Sequence, residues 1–188
     1  MTNSRPILSS LLLCAILSLS SSCAPPPLPK PEESKTGGLS QAKAYLSSGN
    51  YKKALDLYGA AFDRHPDSED LLDTYTEVLE SVKEAADKHY EAQDYAKAGE
   101  LYATLSSSGF MERPLQGELS FDDDYLSMRI GACSKMLIEL GIMKYRTGDL
   151  QQAIAVWKKI LVFNPSDREA KTAINRATAQ LETLKQIK

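Results

Sequence analysis

The sequence predicts an all-α fold: a short solenoid of about three helical hairpins closed by a C-terminal capping helix. Three observations predict it. A pattern recurs at fixed offsets, Gly49, Tyr51, Ala54, Tyr58, Ala61 and Pro66 returning as Gln93, Tyr95, Ala98, Tyr102, Leu105 and Phe110, then as Gly148, Leu150, Ala153, Trp157, Ile160 and Pro165. A small residue, Ala42, Ala86 or Gly141, sits at one fixed distance ahead of each copy. Between copies the apolar residues keep a helical period, as in Leu71, Leu72, Tyr75, Val78, Leu79, Val82, Ala85 and Ala86, with no Gly or Pro among them.

The first element is a leader. Met1 to Arg5 carries one base and no acid, and Ile7 to Leu19 is apolar or small but too short to span a bilayer as a mature helix. The run ends in Leu-Ser-Ser-Ser-Cys at 19–23. Small residues before a cysteine resemble a bacterial lipoprotein signal, which implies removal of residues 1–22 and acylation of Cys23, as with palmitate. Ser20 stands where such signals usually carry Leu. An ordinary secretory peptide cleaved nearby is the alternative, and it would leave Cys23 as a purposeless thiol. By the same resemblance, Ala24 rather than Asp after Cys23 implies sorting to the outer membrane, facing the periplasm. Cys14 lies within the apolar run and reads as a hydrophobe.

Residues 23–38 follow as the lipidated cysteine and a tether. Their string APPPLPKPEESKTGG holds five prolines and two glycines and almost nothing to bury, so it is expected to stay extended and solvated. Residues 39–188 then form the folded domain, long enough for one core.

Within that domain the turn strings GNY, QDY and GDL join pairs of antiparallel helices. Small residues on the first helix of each pair and alanines on the second let backbones approach, while the aromatics fill the space between neighbouring hairpins. The arrangement resembles the tetratricopeptide repeat. The copies begin farther apart than that family's period of about 34 residues, and the surplus identifies two departures. One is a long helix over 68–92. The other is a loop at 107–121 followed by a helix from near Asp122 to Tyr145. At the C-terminus, Ser166 and Glu169 have capping-box spacing, and Ala170, Ile174, Ala177, Leu181 and Leu184 make one apolar stripe for a cap helix.

Composition excludes some functions. The net charge of −3 gives no footprint for nucleic acid. The acidic clusters Asp67-Ser68-Glu69-Asp70 and Asp122-Asp123-Asp124 suit helix N-termini, and neither has the alternating ligands and turn glycine of a calcium loop. Cys133 is the one thiol left in the domain, so no intramolecular disulfide is available there. His65 and His89 have no Cys or paired carboxylates at ligand spacing, and no phosphate loop, nucleophile elbow or zinc-helix motif occurs. No catalytic residue, metal site, cofactor or small-molecule substrate is expected.

Function then rests on binding protein partners. The family resemblance implies a concave groove formed largely by the first helix of each pair. Carried over by the turn register, its positions are Leu39, Lys43 and Leu46 in the first copy, Lys83, Asp87 and Tyr90 in the second, and Lys135, Ile138, Ile142, Tyr145 and Arg146 in the third. Leu46, Tyr90 and Tyr145 are equivalent, which suggests an apolar strip with charged edges; such a stripe also suits a core. Leu39 and Glu139 stand where the chaperone-tail clamp of some relatives needs basic or amide groups. The 107–121 loop adds Phe110, Met111 and Leu115 as contact candidates, and these either tuck against the hairpins or meet a partner. The expected role is a lipid-anchored scaffold or adaptor for envelope proteins, held to the membrane by its anchor; the alternative is an accessory regulatory subunit of a cell-wall enzyme or of a pilus or secretion machine.

Overall fold

The computed structural model describes residues 35–113, 115 and 119–186. The leader, Cys23 and residues 24–34 of the tether lie outside the described residues. The described chain is helical, in the order α1 (Lys35–Ser47), α2 (Tyr51–Arg64), α3 (Glu69–Glu91), α4 (Tyr95–Ser106), a 3₁₀ turn at Phe110–Glu112, α5 (Asp123–Arg146), α6 (Leu150–Phe163) and α7 (Arg168–Gln186). No strand occurs among the described residues. Helices α1/α2, α3/α4 and α5/α6 pair as hairpins, α2, α4 and α6 touch along one side, and α7 packs on α6 and meets α5. This is the helical-repeat solenoid that the recurring pattern predicts.

The repeat register is visible in the turns. Gly49 and Gly148 adopt positive φ (74° and 80°), and Gln93 takes the same left-handed conformation at 63°. The next residue caps the following helix each time. Side-chain oxygens of Asn50, Asp94 and Asp149 accept from the backbone N–H of Lys53, Lys97 and Gln152 at 3.5, 3.4 and 3.2 Å. Glycine is the residue that reaches this geometry without strain, and it is present in two copies of three.

Packing explains the small residues. Ala42, Ala86, Ala54, Ala98 and Ala153 are fully buried, with Tyr58, Tyr102 and Trp157 beside them in the core. Where the aromatic is the larger indole, the small partner shrinks to glycine: a Cβ on Gly141 would lie 2.0 Å from Trp157 Nε1. That indole N–H donates to the Ile138 carbonyl at 3.2 Å, so the ring is held in place. Gly99 plays a similar part between α4 and α6, where a Cβ would meet the Phe163 ring at 2.7 Å.

Helices α3 and α5, at 23 and 24 residues, are the two long ones that the apolar period and the acidic N-terminal clusters predict. Asp122 caps α5 by accepting from Tyr125 N–H at 2.8 Å, and Asp123 and Asp124 fill its first turn, where the helix dipole favours them. Two details differ from expectation. Helix α1 begins at Lys35, inside the segment read as tether, because each added residue extends an existing ladder once Leu39 and Ala42 are packed. The cap of α7 is Asp167, whose carboxylate accepts from Ala170 N–H at 2.9 Å, and not Ser166 with Glu169. Ser166 turns its hydroxyl to Asn164 instead, since the Asn164–Asp167 turn shifts the register by one residue.

Candidate partner-binding groove

Eleven groove positions carried over from the repeat family fall on the first helices, and the structure gathers those of the second and third copies into two sets. The first centres on α3. Lys83, Asp87 and Tyr90 are half-buried there and meet Tyr102 of α4 and Tyr125 and Arg129 of α5. One oxygen of Asp87 accepts from the hydroxyls of Tyr102 and of Tyr125 (2.9 Å) and from Arg129 Nη2 (3.1 Å); the other faces Lys83 Nζ at 3.2 Å. Arg129 also donates from Nε to the Tyr102 hydroxyl at 2.9 Å, and its guanidinium lies 4.0 Å from the Tyr90 ring centre. Lys83 stands 5.5 Å from the Tyr125 ring centre.

Electrostatics follow from that geometry. Burial works against the Asp87 carboxylate, but the hydrogen bonds of Tyr102, Tyr125 and Lys83 outweigh it and hold its pKa below the ordinary value. Burial and the Asp87 carboxylate push Tyr102 and Tyr125 upward. Lys83 loses some basicity to burial, yet its pairing with Asp87 more than restores it. The group is therefore ionic at neutral pH and ties α3, α4 and α5 together.

The second set lies between the C-terminal half of α5 and α7. Ile138, Ile142 and Tyr145 line a cleft of about 390 Å³ with Trp157, and Arg168, Thr172 and Arg176 of α7 form its other wall. Ile138 is buried, Ile142 and Tyr145 half-buried, and the Tyr145 hydroxyl donates to Gln180 at 2.5 Å. Lys135 and Arg146 are exposed on the outer edge of α5. The first-copy trio joins neither set: Leu39 and Leu46 pack against the core, and Lys43 is exposed on α1. The equivalent residues Leu46, Tyr90 and Tyr145 are each half-buried against that core, so only their edges are offered to a partner.

Sequence reasoning missed Arg129, Tyr125, Arg168 and Arg176. The family register covers only a standard-length first helix, and Tyr125 and Arg129 lie on the N-terminal extension of α5. The one local signal was that these two share a face, four residues apart. Arg168 and Arg176 belong to a helix read as a cap.

The described residues of the 107–121 loop form a strap bound to the first two hairpins. Arg113 makes a two-pronged ion pair with Asp63 of α2, both contacts 2.8 Å, donates to the Ser108 carbonyl at 3.0 Å and lies over the Tyr75 ring. Ser120 donates to Glu80 of α3 from its backbone N–H (2.5 Å) and hydroxyl (2.7 Å). Phe110 and Leu115 are turned into the core at 2% and 1% exposure, Met111 is half-buried, and all three border a 460 Å³ cavity with Phe121 and Tyr125. Of the two roles the loop sequence allows, Phe110 and Leu115 are placed for packing.

Two further groups bear on chemistry. Cys133 is fully buried, and burial pushes its thiol up to about 11, far from thiolate reactivity at neutral pH. Among the described residues, no three His, Cys, Asp or Glu side chains come together as metal ligands, and no helix is long and apolar enough to cross a membrane.

Comparison with known families finds that residues 38–68 match the tetratricopeptide repeat, the segment running from α1 through α2 to the cap of α3. Comparison with curated proteins returns no match.

Proposed function

We propose that the chain is a lipid-anchored, periplasm-facing scaffold that binds envelope proteins along the α3–α5–α7 surface. A helical-repeat fold with a tetratricopeptide match is a protein-interaction architecture. The observation that carries the reading is the continuity of α5. Its N-terminal half holds the ionic group with α3, and its C-terminal half lines the apolar cleft with α7. A single helix thus carries a polar anchor in one half and an apolar anchor in the other. The anchor and the address rest on the sequence at Ile7–Ala24, with Cys23 as the acylated residue.

The test separates the two halves of the reading. Ile142→Asp in the half-buried lining of the cleft, with Lys135→Glu on the exposed edge of α5, is expected to abolish co-purification of membrane-envelope partners while the protein stays folded by circular dichroism. Cys23→Ser is expected to move the protein from the membrane to the soluble fraction with the groove intact. Retention of partners by the first variant would overturn the groove; an unchanged membrane fraction for the second, with no lipid label on the parent, would overturn the anchor.

A further inference from the structure

We propose that the open side of α5 is a self-association surface, on which a second copy of this chain docks with its own α5 antiparallel, independently of the envelope partners inferred above.

Two features of α5 find no use within one chain. The first is an uncovered apolar stripe. Met128, Ala132, Lys135, Glu139 and Met143 follow one another at steps of three or four residues, which sets them on one side of the helix. Met128 and Met143 are 62% and 57% exposed, and Leu140 beside them is 36% exposed. Methionine is the apolar side chain best able to adapt to a second surface. The second feature is Gly131. It lies inside the helix, where glycine is less favourable than alanine, yet a Cβ there would meet nothing within 4 Å, whereas one on Gly99 or Gly141 would strike an aromatic ring. Close approach of another helix gives an exposed mid-helix glycine a task that the single chain does not.

The order of charges selects the occupant. Asp124 and Arg146, both exposed, extend the stripe to the two ends of the helix. Turned antiparallel about the middle of α5, a second copy sets its Arg146 beside Asp124, its Met143 beside Met128, and its Leu140 and Glu139 over the small Gly131 and Ala132. Each pairing occurs twice about the two-fold axis, as an isologous contact requires. Lys135 falls near that axis, one turn from Glu139 of the other copy, so the acids and bases of the stripe balance. Among the described residues none of Asp124, Lys135, Glu139 and Arg146 makes an ion pair within its own chain. Parallel docking would set acid on acid and base on base; a second copy turned end for end supplies the complementary order by construction. Ile138, Ile142 and Tyr145 line the cleft on the α7 side of α5, so the cleft lies beside this seam, with Lys135 and Arg146 on the shared edge.

The experiment is copper–phenanthroline oxidation of the purified full chain, read on non-reducing gels as the ratio of linked dimer to monomer. Met128→Cys combined with Met143→Cys is expected to give a dimer of this chain alone, by mass spectrometry, at a ratio at least tenfold above the parent, whose own cysteines set the background. Positions 128 and 143 stand about 22 Å apart along one helix, so a bridge between them joins two copies. For the same reason neither single variant is expected to link. Adding Gly131→Leu is expected to cut the ratio fivefold or more, with a thermal melt showing the chain folded, since the space around Gly131 is open. Asp124→Arg is expected to cut it as well, and Arg146→Asp added to Asp124→Arg to restore it. Equal linking by the single and double variants, no linked dimer, a linked species that contains another protein, a ratio unmoved by Gly131→Leu, or no restoration by the paired charge swap would each overturn the proposal. None of these readouts needs an envelope partner, so their failure leaves the groove reading standing.

Discussion

Gln93 bears a strain that Gly49 and Gly148 avoid. All three hold the left-handed turn of their hairpin, and a side chain there costs about 1–2 kcal/mol. Gln93→Gly is therefore expected to stabilise the fold by roughly 0.5–1 kcal/mol after the added flexibility of the unfolded chain is subtracted, read as a higher urea midpoint. The opposite substitution, Gly141→Ala, drives a methyl into the buried Trp157 ring and is expected to cost about 3 kcal/mol, whereas Lys185→Ala at the exposed end of α7 should cost under about 0.5. These two positions were readable in the sequence for a physical reason: turn geometry and helix contact act through single residues at fixed offsets. Asp87 was readable only as a groove position. Its depressed carboxylate contributes stability that is present at neutral pH and is lost as pH falls through its folded value. Asp87→Asn should thus lower stability at neutral pH by roughly 1–2 kcal/mol and flatten the fall of the urea midpoint below about pH 4.

At the scale of the element, helical period and acidic N-termini marked α3 and α5 because both signals are local. The strap between α4 and α5 was legible as a long loop with too many apolar groups, but not as a tie. Its anchors pair Arg113 with Asp63 and Ser120 with Glu80, residues distant in sequence and joined only once the hairpins stack. The same distance hid Arg129, whose partners come from α3 and α4. With Leu115 1% exposed, Leu115→Ser is expected to lower stability by about 2–4 kcal/mol, through lost burial and an unpaired hydroxyl, while a partner still binds. A calorimetric melt set beside co-purification checks this. Partner loss at an unchanged melting temperature would instead make the strap a contact surface.

At the scale of the molecule, stacking turns short-range pattern into a long surface. The hairpins bury Tyr58, Tyr102 and Trp157 in one core, and this fixes the ionic group among α3, α4 and α5 and the apolar cleft between α5 and α7. The groove was legible as a set of positions, since the register transfers from copy to copy. Its division into an ionic site and an apolar cleft was not, because that depends on the α5 extension and on α7, both outside the repeat. The most direct test of the scaffold reading is in-cell photocrosslinking from two positions in the full chain, Lys135 on the open edge of α5 and Lys159 on the exposed side of α6. A discrete protein adduct is expected from position 135 and none from 159, lost when Ile142→Asp is added. Adducts from 159 alone, or the same adduct from both, would contradict the scaffold reading.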